Sequence, residues 1–162
     1  MGLADDLLSL SEHLASPKPT DPEQVWFRRS VSTTYYALFH LLIEDAVQGW
    51  DGSASLRLGL ERAFAHDRMK EVSRTVSQGS WKGWSMPPLQ IPHELQVTAT
   101  AFVRLQRARH QADYNNAKEW TKTEVTDEIR VTRNAFQSWR EIRSHRAANE
   151  YLLSLLVGKK RE

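Results

Sequence analysis

Apolar positions recur along the chain at helical intervals, and no strand-like alternation interrupts them. Leu3, Leu7, Leu10 and Leu14 mark a first helix over about 3–15, which Pro17 and Pro19 close. Asp21 at the N-cap and Pro22 at the first helical position open a second helix over about 22–49. Its stripe is Phe27, Val31, Tyr35, Leu38 and Leu42, widened by Tyr36, Phe39, Ile43 and Ala46. A helix apolar over so much of its circumference is expected to be buried on several sides. Gly49 and Gly52 end it.

Residues 53–78 read as a helical hairpin or broken helix, with Leu56, Leu60, Ala63 and Phe64, then Met69, Val72 and Val76, on the apolar side. Residues 79–92 hold two glycines, three prolines, Trp81 and Trp84. They read as a loop, a flap whose tryptophans plug the bundle. A helix over about 93–112 carries Leu95, Ala99, Phe102, Val103 and Leu105 inward, and 113–116 breaks its pattern.

Thr121 and Glu124 have the spacing of a capping box. They open a last helix that carries Val125, Ile129, Phe136, Trp139 and Ile142, with Thr132 as the less apolar position of the stripe. The pattern continues through Tyr151, Leu152, Leu155 and Leu156 to Gly158, beyond what a small bundle can cover. The excess, 146–157, is a candidate partner surface or a separately packed turn. A partner surface would be sensitive to Leu152→Asp or Leu155→Asp. The expected fold is all-α: one domain over 1–162, a four- to five-helix up-and-down bundle with a long C-terminal helix.

Composition narrows the classes. The chain has 162 residues, enough for a core of its own; 40% are hydrophobic and 26% charged, which together argue against disorder. It has no cysteine. Disulfide staples, thiolate catalysis and cysteine zinc sites are thereby excluded, and a cytoplasmic protein is expected. The first residues carry Asp5 and Asp6 and no basic run, unlike a secretory signal. Asp6 stands where N-myristoylation needs Ser or Thr. No apolar run approaches the roughly 20 residues of a membrane span, so no membrane association is expected.

Net charge is +2 but uneven: residues 100–162 hold thirteen Lys or Arg against eight acids. A basic C-terminal half suits a phosphate-bearing partner as well as it suits a solvated helix surface. The chain lacks the Glu-x-x-His pairs of a di-iron or di-manganese bundle, a P-loop, a G-x-G-x-x-G, an H-E-x-x-H and a G-x-S-x-G. No metal and no cofactor are expected.

Two segments are distinctive together: Phe27-Arg-Arg-Ser-Val-Ser-Thr-Thr-Tyr-Tyr-Ala-Leu-Phe-His40, and Leu105-Gln-Arg-Ala-Arg-His-Gln-Ala-Asp-Tyr114. In order and spacing, across about 20–145, the pair resembles the small prokaryotic branch of the HEPN family (higher eukaryotes and prokaryotes nucleotide-binding domains). The resemblance implies a helical bundle, usually a homodimer, that binds RNA or a nucleotide. It also implies a protein partner encoded nearby, as in toxin–antitoxin, defence or stress-response systems. Many members are metal-independent ribonucleases whose signature is Arg, four to six residues, then His. Arg holds the phosphate in a fork and His takes the ribose 2′-hydroxyl proton.

At the matching place Arg109 is followed after four residues by Tyr114, a poor base near neutral pH. His110 is the polar residue directly after the arginine. The candidate catalytic set is therefore Arg109, His110 and Tyr114. Arg28, Arg29, Arg104 and Asp113 are candidates for phosphate or RNA contact. Arg104 with His110, and Arg140 with His145, also fit the spacing. The plainer alternative makes Arg109–Asp113 an i, i+4 ion pair and Tyr114 a buried cap of the bundle. Three readings stay open: an RNA- or nucleotide-binding protein with a degenerate ribonuclease motif, an active metal-independent endoribonuclease, and a non-catalytic protein-interaction module.

Overall fold

The structure, a computed structural model, describes residues 2–49 and 52–158. Lys159, Lys160, Arg161 and Glu162, which count toward the uneven charge, lie outside the described residues. The fold is all-α, with seven helices among the described residues: α1 (Leu3–Leu14), α2 (Glu23–Gln48), α3 (Ala54–Ala63), α4 (His66–Ser77), α5 (His93–Tyr114), α6 (Lys122–Ile142) and α7 (Arg146–Val157). They form two compact units, Met1–Leu41 with Ala101–Phe136, and Leu42–Thr100 with Gln137–Glu162.

The first unit is an up-and-down arrangement of four helical segments. Contacts fix the antiparallel order. Ser30 Oγ donates to the Ser11 carbonyl, and His13 lies 5.6 Å from the Trp26 ring, which sets α1 against α2. Arg28 reaches the end of α5 while Tyr35 meets Phe102, 5.4 Å between rings. Arg104 pairs with Glu128 between α5 and α6. Arg133 pairs with Glu12 between α6 and α1. The expected stripe of α2 is the core: Phe27, Val31, Tyr35, Leu38 and Leu42 are all buried. Around Phe27 and Val31 cluster Ala15, Ala108, Ala112, Trp120, Val125 and Ile129.

Helix α1 turns its small residues inward. Ala4 and Ser11 are buried, whereas Leu3 and Leu10 are exposed. Helix α2 begins at Glu23, one residue later than expected, and the Asp21 carboxylate accepts from the Lys18 N–H at 2.7 Å.

The second unit settles the C-terminal segment. The single long helix expected there is two helices. The chain breaks after Ile142, and His145 caps α7, its Nδ1 accepting from the Ala147 N–H at 3.0 Å. Ala147, Ala148, Tyr151, Leu152, Ser154 and Leu155 are buried, and α7 packs against α4. The segment is thus a separately packed element; Leu152 and Leu155 belong to the core and are not displayed to a partner. Tyr151 Oη and Ser73 Oγ share a hydrogen bond of 2.6 Å, and burial pushes the Tyr151 hydroxyl well above its ordinary pKa.

Residues 79–92 contain no helix among them and are pinned onto α7. Trp84 Nε1 donates to Ser154 Oγ at 2.8 Å, and the Glu150 carboxylate accepts from the Trp84 N–H at 2.8 Å and from the Ser85 hydroxyl. Gly83 sits at φ +66 with Glu150 and Trp81 where a Cβ would stand, so this turn requires glycine. The hairpin reading of 53–78 holds as α3 and α4; of the first half only Phe64, just past the end of α3, is inside, and the rest of the buried side belongs to α4. Met69, Val72 and Val76 are buried, whereas Leu56 is exposed and α3 buries no residue.

Candidate functional site

The candidate residues lie in the first unit, on the last two turns of α5 and the facing part of α2. The pattern break expected at 113 comes later, so Asp113 and Tyr114 are still helical. One face of α5 therefore presents Arg109 and Asp113 to α2, and the next carries His110 and Tyr114.

Arg109 lies over two tyrosines. Its guanidinium carbon is 5.2 Å from the Tyr35 ring centre and 5.7 Å from that of Tyr36. Such stacking fixes a guanidinium without consuming its N–H donors. The polar contacts are few and long: Nη1 donates to Tyr36 Oη at 3.3 Å and stands 3.7 Å from Asp113 Oδ2. Nε is buried and has no hydrogen-bond partner. The side chain is only 16% exposed. A cation with five donors is thus held rigidly, largely desolvated, with most of its hydrogen-bonding capacity unspent. Asp113 is itself steadied by Ser32 Oγ at 3.3 Å.

His110 does not join this group. Consecutive residues of a helix diverge by about 100°. His110 is exposed and lies against Tyr114, 5.0 Å between ring centres, while Arg109 faces α2. Tyr114 is 66% exposed, so it is neither a buried cap nor placed as a base beside Arg109. The pair forms a small aromatic step on the surface.

The other arginines divide by partner. Arg28 is spent on main chain: it donates to the carbonyls of Ala112 and Asn115 at 3.0 Å each, of Asn116 at 3.4 Å and of Lys118. It closes the end of α5, whose last carbonyls have no helical partners. Arg104 is committed to Glu128, and that hydrogen-bonded carboxylate raises its pKa further. Arg29 is exposed, and no side-chain hydrogen bond engages it. Of the numerical pairs, Arg104–His110 is divided by the Glu128 contact, and His145 is occupied as the α7 cap.

Sequence reasoning did not anticipate the cleft beside the α5 face. It measures about 340 Å³ and is lined by Arg104, Arg107, Lys118, Trp120, Glu124 and Glu128, among others. Lys118 Nζ sits 4.6 Å over the Trp120 ring and pairs with Glu124 at 3.0 Å. Thr121 N–H and Lys118 hold the Glu124 carboxyl below its ordinary pKa. Trp120 is anchored by Gln24, whose side chain exchanges two 2.8 Å hydrogen bonds with its backbone. In the cleft Arg104 pairs with Glu128 and Lys118 with Glu124, Asp127 pairs outward with Arg130, and Arg107 is exposed with no ion pair among the described residues. Among the described residues, no cluster of three or more His, Cys, Asp or Glu is grouped to hold a metal ion. No helix described is long and apolar enough to cross a membrane.

No protein-family model, curated protein or solved structure matches the chain.

Proposed function

We propose that the protein is a HEPN-like binder of RNA or a nucleotide, with Arg109 as the phosphate contact and the ribonuclease motif degenerate. The observation that carries this reading is the Arg109 guanidinium, fixed over Tyr35 and Tyr36 with a single long side-chain hydrogen bond, Nη1 to Tyr36 Oη at 3.3 Å. A desolvated arginine with donors to spare suits a bidentate phosphate oxygen pair. Arg29 one turn away from Ser32 and Thr33 on α2, and Arg107 on α5, add unpaired positive charge. The exposed His110–Tyr114 step offers a face for an unstacked base.

The divergence of Arg109 and His110 supports binding over cleavage, since the imidazole of the motif turns away from the arginine. The reading places the protein in the cytoplasm, as a homodimer, in a toxin–antitoxin, defence or stress-response system with a protein partner encoded nearby. The test is binding of short single-stranded RNA and of nucleoside phosphates in EDTA, followed by fluorescence anisotropy across salt concentration. Affinity should fall with salt and drop in Arg109→Gln at unchanged fold. Absence of salt-sensitive binding would sink the reading. Cleavage leaving 2′,3′-cyclic phosphate ends would convert it into the endoribonuclease reading.

A further inference from the structure

Helix α3 buries none of its 10 residues. Helices shorter than roughly 12–15 residues are marginal in water and normally draw their stability from a packed face. Gly59 in the middle of α3 weakens it further. The helix is fixed at its ends: the Ser53 hydroxyl accepts from the Leu56 N–H at 3.4 Å, and the chain beyond Ala63 runs into buried Phe64. Between those ends its surface is open.

At about 100° per residue, Leu56, Gly59, Leu60 and Ala63 share one stripe roughly 100° wide. Leu56 is 59% exposed, Gly59 and Ala63 are exposed, and Leu60 is half-buried. A Cβ on Gly59 would meet nothing within 4 Å, so the chain's own packing does not require glycine there. What the missing side chain gives is access, because a second backbone can come closer over glycine than over any other residue. Arg57 lies roughly 60° beyond one edge of the stripe and Arg62 roughly 60° beyond the other. Both are exposed, and neither makes an ion pair among the described residues. Glu61, the acid of this helix, is on the opposite side with Leu58.

These features select the occupant. A second α3 laid on the stripe would bring arginine to arginine in either direction, since both edges are basic. A lipid surface would take the leucines but has no use for the gap at Gly59. A helix with an apolar face and acidic edges uses the leucines, the gap and both arginines. We infer that α3 docks an amphipathic, acidic-edged helix of another protein, its apolar face on Leu56, Gly59, Leu60 and Ala63 and its carboxylates on Arg57 and Arg62. So short a stripe buries less than the roughly 1,200 Å² of a stable interface, so the complex is transient and weakened by salt. The inference does not depend on nucleic-acid binding at Arg109.

Fluorescence anisotropy on the full chain tests it with two labelled synthetic peptides of three heptads each. Both carry leucine and alanine at a and d; one has glutamate at e and g, the other lysine, and like charges keep each from pairing with itself. The glutamate peptide should bind about tenfold tighter than the lysine one. Arg57→Glu combined with Arg62→Glu should reverse that preference. Gly59→Leu extends into open space, so it should leave the thermal unfolding transition in place and abolish docking. Binding of neither peptide, equal binding of both, or full affinity in Gly59→Leu would each overturn the proposal. Vesicles of phosphatidylglycerol that bind the wild type, and bind Gly59→Leu more tightly, would assign the face to a lipid surface instead. Self-association abolished by Leu60→Glu would assign it to a second copy.

Discussion

Arg28 Nη1 donates to the Ala112 carbonyl at 3.0 Å, joining the second turn of α2 to the last turn of α5. The same guanidinium takes the carbonyls of Asn115, Asn116 and Lys118. A charged donor here substitutes for the absent next turn of α5 and orders the link to α6. Arg28→Ala should therefore cost about 1.5–3 kcal/mol in urea unfolding, the range for hydrogen bonds to a charged group. Arg28→Lys should recover only part of it, since one ammonium cannot span four carbonyls. Arg29→Ala next to it should leave stability within about 0.5 kcal/mol.

That contrast shows what the sequence carries and what it does not. The pair Arg28-Arg29 reads as one basic motif, and only the approach of α2 to the end of α5 separates a helix cap from a free cation. Local chemistry is more legible. The Thr121/Glu124 capping box is present with both hydrogen bonds, Glu124 N–H to Thr121 Oγ1 at 3.2 Å and Thr121 N–H to Glu124 at 2.9 Å. The α2 stripe was likewise plain, because burial on several sides leaves an unambiguous period. The break between α6 and α7 has no Gly or Pro to announce it, and its cap is His145 where Ser, Thr, Asp or Asn would be looked for. Exposure of the α1 leucines was hidden because spacing reports a shared face without saying which face turns inward. The tyrosine bed under Arg109 was hidden for a similar reason: it depends on the register of α2 against α5.

Asp45 joins α2 to the end of α6 within the second unit. Its Oδ2 accepts from Trp139 Nε1 at 2.6 Å and from Arg143 Nε at 2.9 Å, and Oδ1 accepts from Arg143 Nη2 at 3.0 Å. Trp139 is fully buried, so Asp45→Ala strands an indole N–H and also removes the ion pair of the part-exposed Arg143. The expected loss is about 2–4 kcal/mol, measured by denaturant unfolding. Asp45→Asn should lose less, because an amide oxygen still accepts from the indole.

Leu155 is fully buried on α7. Leu155→Ala should lower stability by about 2–5 kcal/mol, and Leu155→Asp should prevent cooperative folding altogether. Thermal unfolding by circular dichroism separates this from a docking role, which would leave the melting transition in place.

The lowered pKa of the Glu124 carboxyl gives an acid-side dependence. A carboxylate whose folded pKa lies below its unfolded one stabilises the fold above its ordinary value of 4.5. That contribution disappears as pH falls through the lowered folded value. Glu124→Gln should therefore destabilise the fold near neutral pH, and the difference from wild type should vanish in acid. Urea unfolding at a series of pH values would show it, and a difference independent of pH would assign the residue a purely steric role.

Tyr114 offers the cleanest separation of binding from folding. It is 66% exposed and, among the described residues, its ring contact is with His110, so Tyr114→Ala should leave the unfolding transition in place. If an RNA base stacks on the His110–Tyr114 step, the same change should weaken RNA affinity by about 1–3 kcal/mol, roughly 5- to 150-fold. The salt dependence should stay as steep as in wild type, because stacking releases no counterion. Arg109→Gln should show the opposite pattern: weaker binding together with a shallower salt slope, since one phosphate contact is gone. Measuring both variants across salt thus assigns aromatic and phosphate contributions separately. A Tyr114→Ala protein that binds RNA as tightly as wild type would remove the aromatic step from the site while leaving the Arg109 contact standing.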